Sequence, residues 1–396
     1  MAKRQLSPNV LLIFLASTVF LTFTVIVMLG PLLVELAIEF RTSVAATGQL
    51  AAATSFTWAL TALLTGPMSD IYGRRLIILM GMMLMIIGII SSGLAWGYSS
   101  LLAFRFITGV GAAVIGPNSI ATVVETFPAG QRGKSLGLLI SSLGLGTTFG
   151  IPTVALLADA GGWRFPFFVL GALLLILLAI FWMWFPRGHT RPDRALTLVS
   201  HFRGAGSKAV FWYLLIANCL MNIVFMAVSS YLAVYLIQVY RMNAGEIAFP
   251  LMLAGLGVIA GSILGGHAAS HEDRLSLISI FFLISAPIAL LVFTTHISVW
   301  ITAVLSFVII CLLLISAPVT ALQLTQWAGE SRATATGMFT VSNQLGIMGG
   351  ASIGGLMLSL GSFPLIGVFC SVTAATAAAL VRYKVQGGGD VVDYHD

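Results

Sequence analysis

The chain has 396 residues, of which 59% are hydrophobic and only 8% are charged. Soluble domains carry roughly 25% charged residues, so this composition excludes a water-soluble globular fold. The formal net charge of +6 would suit a nucleic-acid partner only if it lay on a soluble domain. The basic residues form no such domain, and we expect no nucleic acid to bind.

Twelve long apolar runs follow one another along the chain. Runs of about 20 apolar residues predict transmembrane helices, and unbroken runs of this length exclude a transmembrane β-barrel. The first run is too long for the apolar region of a secretory signal. We number the predicted spans 1 to 12, and they cover residues 10–34, 44–65, 76–96, 101–124, 135–158, 165–185, 211–237, 246–268, 275–295, 299–323, 334–358 and 362–382.

An internal repeat relates the two halves of the chain. Residues 66–77, GPMSDIYGRRLI, align without a gap on residues 266–277, GHAASHEDRLSL. The same offset of 200 residues pairs Arg41 with Arg241, Arg132 with Arg332, Gly137 with Gly337 and Gly150 with Gly350. A register this long indicates one structural unit used twice. We therefore predict an all-α membrane protein whose 12 transmembrane helices form two pseudo-symmetric six-helix bundles.

Basic residues mark the orientation in the membrane. Of the 19 Lys and Arg residues, 15 fall in the termini and the even-numbered connections, while Arg41, Arg164 and Arg241 fall on the other side and Arg105 lies within a span. Basic connections stay in the cytoplasm, so both termini are predicted to be cytoplasmic, in a plasma (inner) membrane. The predicted organisation is a first bundle over 1–185, a cytoplasmic linker over 186–208, a second bundle over 209–386 and a cytoplasmic tail over 387–396.

Several motifs resemble those of the major facilitator superfamily. The loop between spans 2 and 3, Gly66-x-x-x-Asp70-x-x-Gly73-Arg74-Arg75, is similar to that family's signature. Arg105-x-x-x-Gly109-x-Gly111 looks like its motif in span 4. Three further segments sit where the drug-efflux branch places similar residues: Leu29-Gly30-Pro31-Leu32-Leu33, Phe127-Pro128 with Arg132-Gly133-Lys134, and Gly162-Trp163-Arg164. The resemblance implies the major facilitator fold, with drug or small-molecule efflux as the expected activity.

The signature loop is predicted to work as a gating motif, formed by Gly66, Asp70, Gly73, Arg74, Arg75 and Glu125. The glycines permit a tight turn, Asp70 can sit at the positive end of a neighbouring helix, and Arg74 can reach Glu125. By resemblance, this relay closes the cytoplasmic side. The alternative is an ordinary helix turn with arginines that set topology.

Glycines at regular spacing line spans 5, 8 and 11. Small residues spaced by four let helix backbones approach closely in lipid, and we expect span 5 to slide on span 8. Ordinary helix packing is the alternative. The stripes are Gly137, Gly146 and Gly150; Gly257, Gly261 and Gly265; and Gly337, Gly346 and Gly350.

Polar side chains within the spans are candidates for a substrate cavity. An arginine inside a span is costly and indicates function, and amides in lipid need partners inside the protein. Bonds between helices are the alternative for each of them. The candidates are Thr18, Thr22, Arg105, Asn118, Asn218, Asn222, Phe225, Asn343 and Gln344. We place none of the 13 acidic residues at the membrane centre.

The predicted function is secondary transport of a small neutral or anionic organic compound. Two six-span repeats with a site between them are typical of secondary transporters. We expect export by alternating access, with protons as a candidate coupling ion, from a monomer in the lipid bilayer. The alternative is an uncoupled facilitator or exchanger of a small organic anion. We predict no enzyme activity, no catalytic residue, no metal ligand and no cofactor, and free thiols at Cys219, Cys311 and Cys370.

Overall fold

The computed structural model describes residues 7–184, 209–327 and 332–385. These residues form thirteen α-helices, and the described part of the chain contains no strand. The helices are α1 Pro8–Val27, α2 Leu29–Glu39, α3 Val44–Tyr72, α4 Arg74–Gly93, α5 Tyr98–Thr126, α6 Ala129–Gly161, α7 Arg164–Trp184, α8 Ala209–Val239, α9 Ala248–Ala268, α10 Arg274–Thr294, α11 Val299–Trp327, α12 Arg332–Ser359 and α13 Phe363–Leu380. The predicted linker and the predicted tail lie outside the described residues.

Ten helices in the described residues are long and apolar enough to cross a membrane. Helix α2 is too short, with 11 residues. Helices α3 and α12 have 29 and 28 residues and therefore ample length, but their many Gly, Ser and Thr residues make them less apolar. They correspond to the predicted spans 2 and 11.

The first predicted span consists of two helices rather than one. Helix α1 ends at Val27 and helix α2 begins at Leu29, with Met28 between them. Pro31 has no backbone N–H, so the Val27 carbonyl loses the donor that a continuous helix would supply. The outer end of this span is therefore a short separate helix.

The described residues form two compact units. The first contains α1 to α7 together with Ser230–Gly255, and the second contains the rest of α8 and α9 with α10 to α13. Helices α8 and α9 thus each contribute to both units. The bounds of the two predicted bundles, 1–185 and 209–386, stay a prediction.

The same helix pairings occur in both units, as expected for a repeat. In the first unit α1 packs on α6, α3 on α5 and α4 on α7. In the second unit the glycines of α12 contact α8 and those of α9 contact α11, while α10 packs on α13. These are the equivalent pairs under the offset of 200 residues.

Two arginines with unusual backbone angles show the repeat at the level of single residues. Arg41 and Arg241 have φ of 49° and 59° and are the non-glycine residues with positive φ in the described part. Each follows the end of a helix, Glu39 or Val239. Side chains other than glycine rarely adopt this conformation, so its presence at both related positions reflects one turn used twice.

Candidate functional site

The glycine stripes pack on partners different from those we expected. Gly146 and Gly150 of α6 face α1, where an added Cβ at Gly146 would lie 2.6 Å from the Phe20 carbonyl oxygen. Likewise, Cβ atoms at Gly257 and Gly261 of α9 would lie 2.5 Å from carbonyl oxygens of α11. Apart from Gly137 and Gly337, where a Cβ has nothing within 4 Å, the stripes therefore hold helices together within each unit. They are not the surfaces on which spans 5 and 8 meet.

Helices α6 and α9 meet instead at Gly255. The Thr148 hydroxyl donates a hydrogen bond to the Gly255 carbonyl over 2.8 Å. A Cβ at Gly255 would lie 2.9 Å from the Thr148 Cα atom. Gly255 is not part of the regular stripe of span 8, so no spacing pattern distinguished it from other glycines.

The predicted gating motif contains a turn at Gly73 that only glycine adopts readily. Gly73 separates α3 from α4 with φ 83° and ψ 143°. Arg75, two residues on, donates to the Trp182 carbonyl over 2.9 Å and ties the start of α4 to the end of α7. Gly66 and Asp70 lie within α3, but the Asp70 side chain lies outside the described part of the structure.

Arg74 and Glu125 form an ion pair between α4 and α5. The Arg74 Nη2 and Glu125 Oε1 atoms are 2.8 Å apart, and the two side chains are 26% and 60% exposed. Such a pair stabilises the fold by about 0–1 kcal/mol. It can therefore break and re-form during a conformational cycle at little cost.

The equivalent arginine of the second unit has neutral partners. Arg274 Nε donates to Gln323 Oε1 over 2.9 Å, and its Nη2 donates to Gln326 Oε1 over 3.0 Å. Gln323 is a buried amide of α11, and it accepts a hydrogen bond from this arginine. The two repeats thus keep the arginine and differ in the charge of its partner.

Arg105 is the one charged side chain that is buried in the described part, with 0% exposure. Its Nε atom donates to the Thr54 hydroxyl over 3.0 Å, and its Nη2 atom donates to the Val25 carbonyl over 3.3 Å. Its Nη1 atom is buried and has no hydrogen-bond partner. Arg105 therefore joins α5 to α3 and to the end of α1, and still has N–H groups to donate.

The other polar candidates of the first unit bond to their own helices. The hydroxyls of Thr18 and Thr22 donate to Phe14 and Thr18 carbonyls over 2.8 and 2.7 Å. The Asn118 amide donates to the Val114 carbonyl over 2.7 Å. These bonds use the hydroxyl protons of the two threonines and one amide proton of Asn118. The side-chain oxygens of these residues can therefore accept a hydrogen bond from a ligand.

The amide candidates of the second unit form one cluster between α8 and α12. Asn343 Oδ1 accepts from Asn218 Nδ2 over 2.6 Å and from Asn222 Nδ2 over 3.0 Å. Asn218 also donates to the Ser342 hydroxyl over 3.0 Å, and Ser342 donates to the Leu215 carbonyl over 2.7 Å. The cluster joins the two helices with neutral groups.

Two side-chain amide oxygens, one of them within this cluster, accept no hydrogen bond. Asn218 and Gln344 are 2% and 4% exposed, and their side-chain oxygens are buried and unpaired. Phe225 is half-buried on α8. Both oxygens can therefore accept a hydrogen bond, and Phe225 lies on the same helix as Asn218.

Acidic side chains are exposed wherever they are described, with one exception. Glu39, Glu125, Asp159, Glu246, Glu272 and Asp273 are exposed, and Glu35 is half-buried. Glu35 accepts a hydrogen bond from the Trp163 backbone N–H over 3.0 Å. The sequence shows the segments of Glu35 and Trp163, but no pattern in it indicates that these residues, 128 positions apart, are in contact.

Comparisons with known proteins identify the family. The model of the Major Facilitator Superfamily matches residues 15–325. The transporter YceJ of Bacillus subtilis is 30% identical over 64% of this chain and 65% of its own length, so the chain spans just under two thirds of that relative. The multidrug resistance protein Stp of Mycobacterium tuberculosis is 38% identical over 28% of this chain and 21% of its own length.

Solved structures show the same fold. A bacterial homologue of the human lysosomal transporter Spinster matches with a TM-score of 0.72 and 20% identity, covering 96% of this chain and 94% of the homologue. The predicted fold class is thereby confirmed. A family model that covers most of the chain shows that the protein belongs to the Major Facilitator Superfamily.

Proposed function

We propose that the chain exports a small neutral or anionic organic compound by alternating access. The observation that carries this proposal is the charge of the described interior, where Arg105 is the one buried ion and every described acid is exposed or half-buried. A cationic substrate needs a carboxylate partner, because a buried unpaired charge is unstable. The multidrug resistance relative supports export.

Arg105 is the proposed contact for the acidic group of the substrate. Its unpaired Nη1 atom retains N–H donors, and guanidinium pairs well with the two oxygens of a carboxylate. In the second unit, Asn218 and Gln344 offer unpaired acceptors for a hydroxyl or N–H group. Thr18, Thr22, Asn118, Asn222, Phe225 and Asn343 are the further proposed substrate contacts.

The gating role of Gly66, Asp70, Gly73, Arg74, Arg75 and Glu125 is part of the same proposal. The exposed Arg74–Glu125 pair and the bond from Arg75 to Trp182 are contacts that can open and close. We propose that they hold one state of the transport cycle and release in another. The runner-up function is an uncoupled facilitator or exchanger of a small organic anion, which the absence of a fully buried acid among the described side chains favours.

A thermal-shift experiment on purified full-length protein tests the role of Arg105. The probes are small aromatic and aliphatic carboxylates and their matching primary amides, which differ in charge but little in size. A ligand that binds the folded state raises its melting temperature. We expect some carboxylates to raise the melting temperature more than their amides, and Arg105→Ala to remove this difference.

Arg105→Lys is the matched control, because it keeps the charge and loses the fork of donors. It should retain part of the preference for carboxylates. Equal shifts for carboxylates and amides in the wild-type protein would contradict an anion contact. A preference that survives in Arg105→Ala would assign Arg105 to joining helices only.

A further inference from the structure

Two acids on α2 bind the turn that precedes α7. Glu35 and Glu39 are one helical turn apart and therefore lie on the same face of α2. Glu35 accepts the Trp163 N–H over 3.0 Å, and Glu39 Oε1 lies 2.9 Å from Arg164 Nη1. Two segments that the sequence analysis treated as separate motifs, around Pro31 and at Gly162-Trp163-Arg164, are thus held together.

The backbone of the turn presents an N–H group to Glu35. Gly162 has φ +74°, and a Cβ at this position would lie 3.6 Å from Glu35 Oε1. Trp163 directly precedes α7, so its N–H belongs to the positive end of that helix. A carboxylate bonded there is favoured over a neutral carboxylic acid, because hydrogen bonds to an ionised acceptor are about twice as strong.

Arg164 neutralises Glu39 and leaves Glu35 without an ion-pair partner. Its guanidinium is bonded to Glu39 and lies 4.2 Å from the centre of the Trp163 ring. The other charged groups at this end of the first unit, Arg41, Asp159, Arg241 and Glu246, are exposed. In the described residues, Glu35 is therefore stabilised in its charged form by one backbone N–H alone.

We propose that Glu35 is the positioning residue through which the pH on its side of the membrane acts on this transporter. Its protonation weakens the bond that holds α2 to the turn before α7. Helix α2 follows the break at Met28, so loss of this bond loosens the outer part of the first span and leaves the Glu39–Arg164 pair as its side-chain contact with the turn. This inference rests on the proposed transport function and adds the site of its pH control.

Two opposing effects set the pKa of Glu35, and the effect of burial is the larger. Burial raises the pKa of Glu35 above its ordinary value; the Trp163 N–H opposes this rise, and the negative charge of Glu39 adds to it. Glu35 therefore binds a proton at a higher pH than an exposed glutamate does. Of the acids whose side chains are described, it is the one that is not exposed.

Hydrogen–deuterium exchange of the purified full-length protein tests the proposal without a known substrate. The readout is the peptide that contains the Trp163 amide, corrected for the intrinsic pH dependence of exchange. We expect its protection to fall by about fivefold on acidification, because a charged acceptor is replaced by a neutral one. Glu35→Gln should show low protection at every pH, and Glu35→Asp should restore a pH-dependent profile.

Glu39→Gln is the matched control, since it removes the pair with Arg164 and leaves Glu35 in place. Its profile should stay pH-dependent and move to lower pH, because the charge of Glu39 no longer raises the pKa of Glu35. A wild-type profile without pH dependence, or an unchanged profile in Glu35→Gln, would overturn the proposal.

Flux in reconstituted vesicles separates this proposal from the proposed function. Those carboxylates that raise the melting temperature are the probes, and a pH gradient is imposed. Wild-type flux that depends on the outer pH, with loss of that dependence in Glu35→Gln, supports both proposals. If no probe moves across the membrane, the transport proposal fails while the exchange result for Glu35 stands.

Discussion

Gly73 shows how one residue determines the geometry of the proposed gate. Its φ of 83° lies where a Cβ meets the neighbouring backbone, so glycine is strongly favoured. The turn starts α4 at Arg74 and brings this side chain to Glu125 on α5. The backbone conformation of Gly73 thus positions Arg74 for its ion pair with Glu125.

Gly73→Ala should destabilise the protein by about 1–3 kcal/mol, the usual cost of a sparsely populated backbone conformation for a residue with a Cβ. Thermal unfolding in detergent measures this change. Gly130→Ala is the control, because a Cβ there has nothing within 4 Å. Equal melting temperatures for both variants would show that the turn adapts without strain.

One of two contacts between distant residues could be predicted, and the other could not. The sequence indicated that Arg74 can reach Glu125, and the structure brings them together; their gating role stays a prediction. The bond between Glu35 and Trp163 joins segments 128 positions apart. Hydropathy places each segment at a helix end, but it does not say which helix ends are neighbours.

At the scale of helices, the glycines determine how closely α12 approaches α8. A Cβ at Gly346 would lie 2.5 Å from the Cys219 carbonyl oxygen, and one at Gly350 would meet the Ile223 carbonyl. The sequence identified these close-packing faces from their spacing. It could not identify their partners, because in lipid a small-residue face packs on any helix of suitable shape.

Gly346→Ala should lower the stability of the second unit by about 1–3 kcal/mol, the typical cost of overpacking. The same substitution at Gly337, where a Cβ has nothing within 4 Å, should be neutral or stabilising by up to about 1 kcal/mol, because alanine favours helix. Denaturant unfolding of the two variants gives the comparison. A loss of similar size at both positions would assign the effect to the helix itself rather than to the contact with α8.

The repeat of the whole chain could be predicted from sequence because the offset of 200 residues persists where the residues between the matching positions have diverged. The offset reappears in the positive φ of Arg41 and Arg241 and in Arg74 and Arg274, which each begin a helix. The assignment of Ser230–Gly255 to the first unit could not be predicted in this way. It depends on the packing of α9 on α6 at Thr148 and Gly255, which no internal symmetry of the sequence records.

The difference between the two repeats leads to a prediction about their response to salt. Arg74 binds a charged partner, Glu125, whereas Arg274 binds the neutral amides of Gln323 and Gln326. Salt screens an exposed ion pair and has less effect on a bond to an amide. Rising ionic strength should therefore increase hydrogen exchange near residue 125 and leave the segment near residue 326 nearly unchanged.

Exchanging the partner residues of Arg74 and Arg274 should move the salt sensitivity of hydrogen exchange from the first unit to the second. In the double variant with Glu125→Gln and Gln326→Glu, the salt-sensitive segment should be the one in the second unit. Each single variant is the control for its own half, and peptide-resolved exchange at low and high salt provides the measurement. Salt sensitivity that stays with the first unit in the double variant would mean that backbone surroundings, and not the charge of the partner residue, distinguish the two copies of this turn.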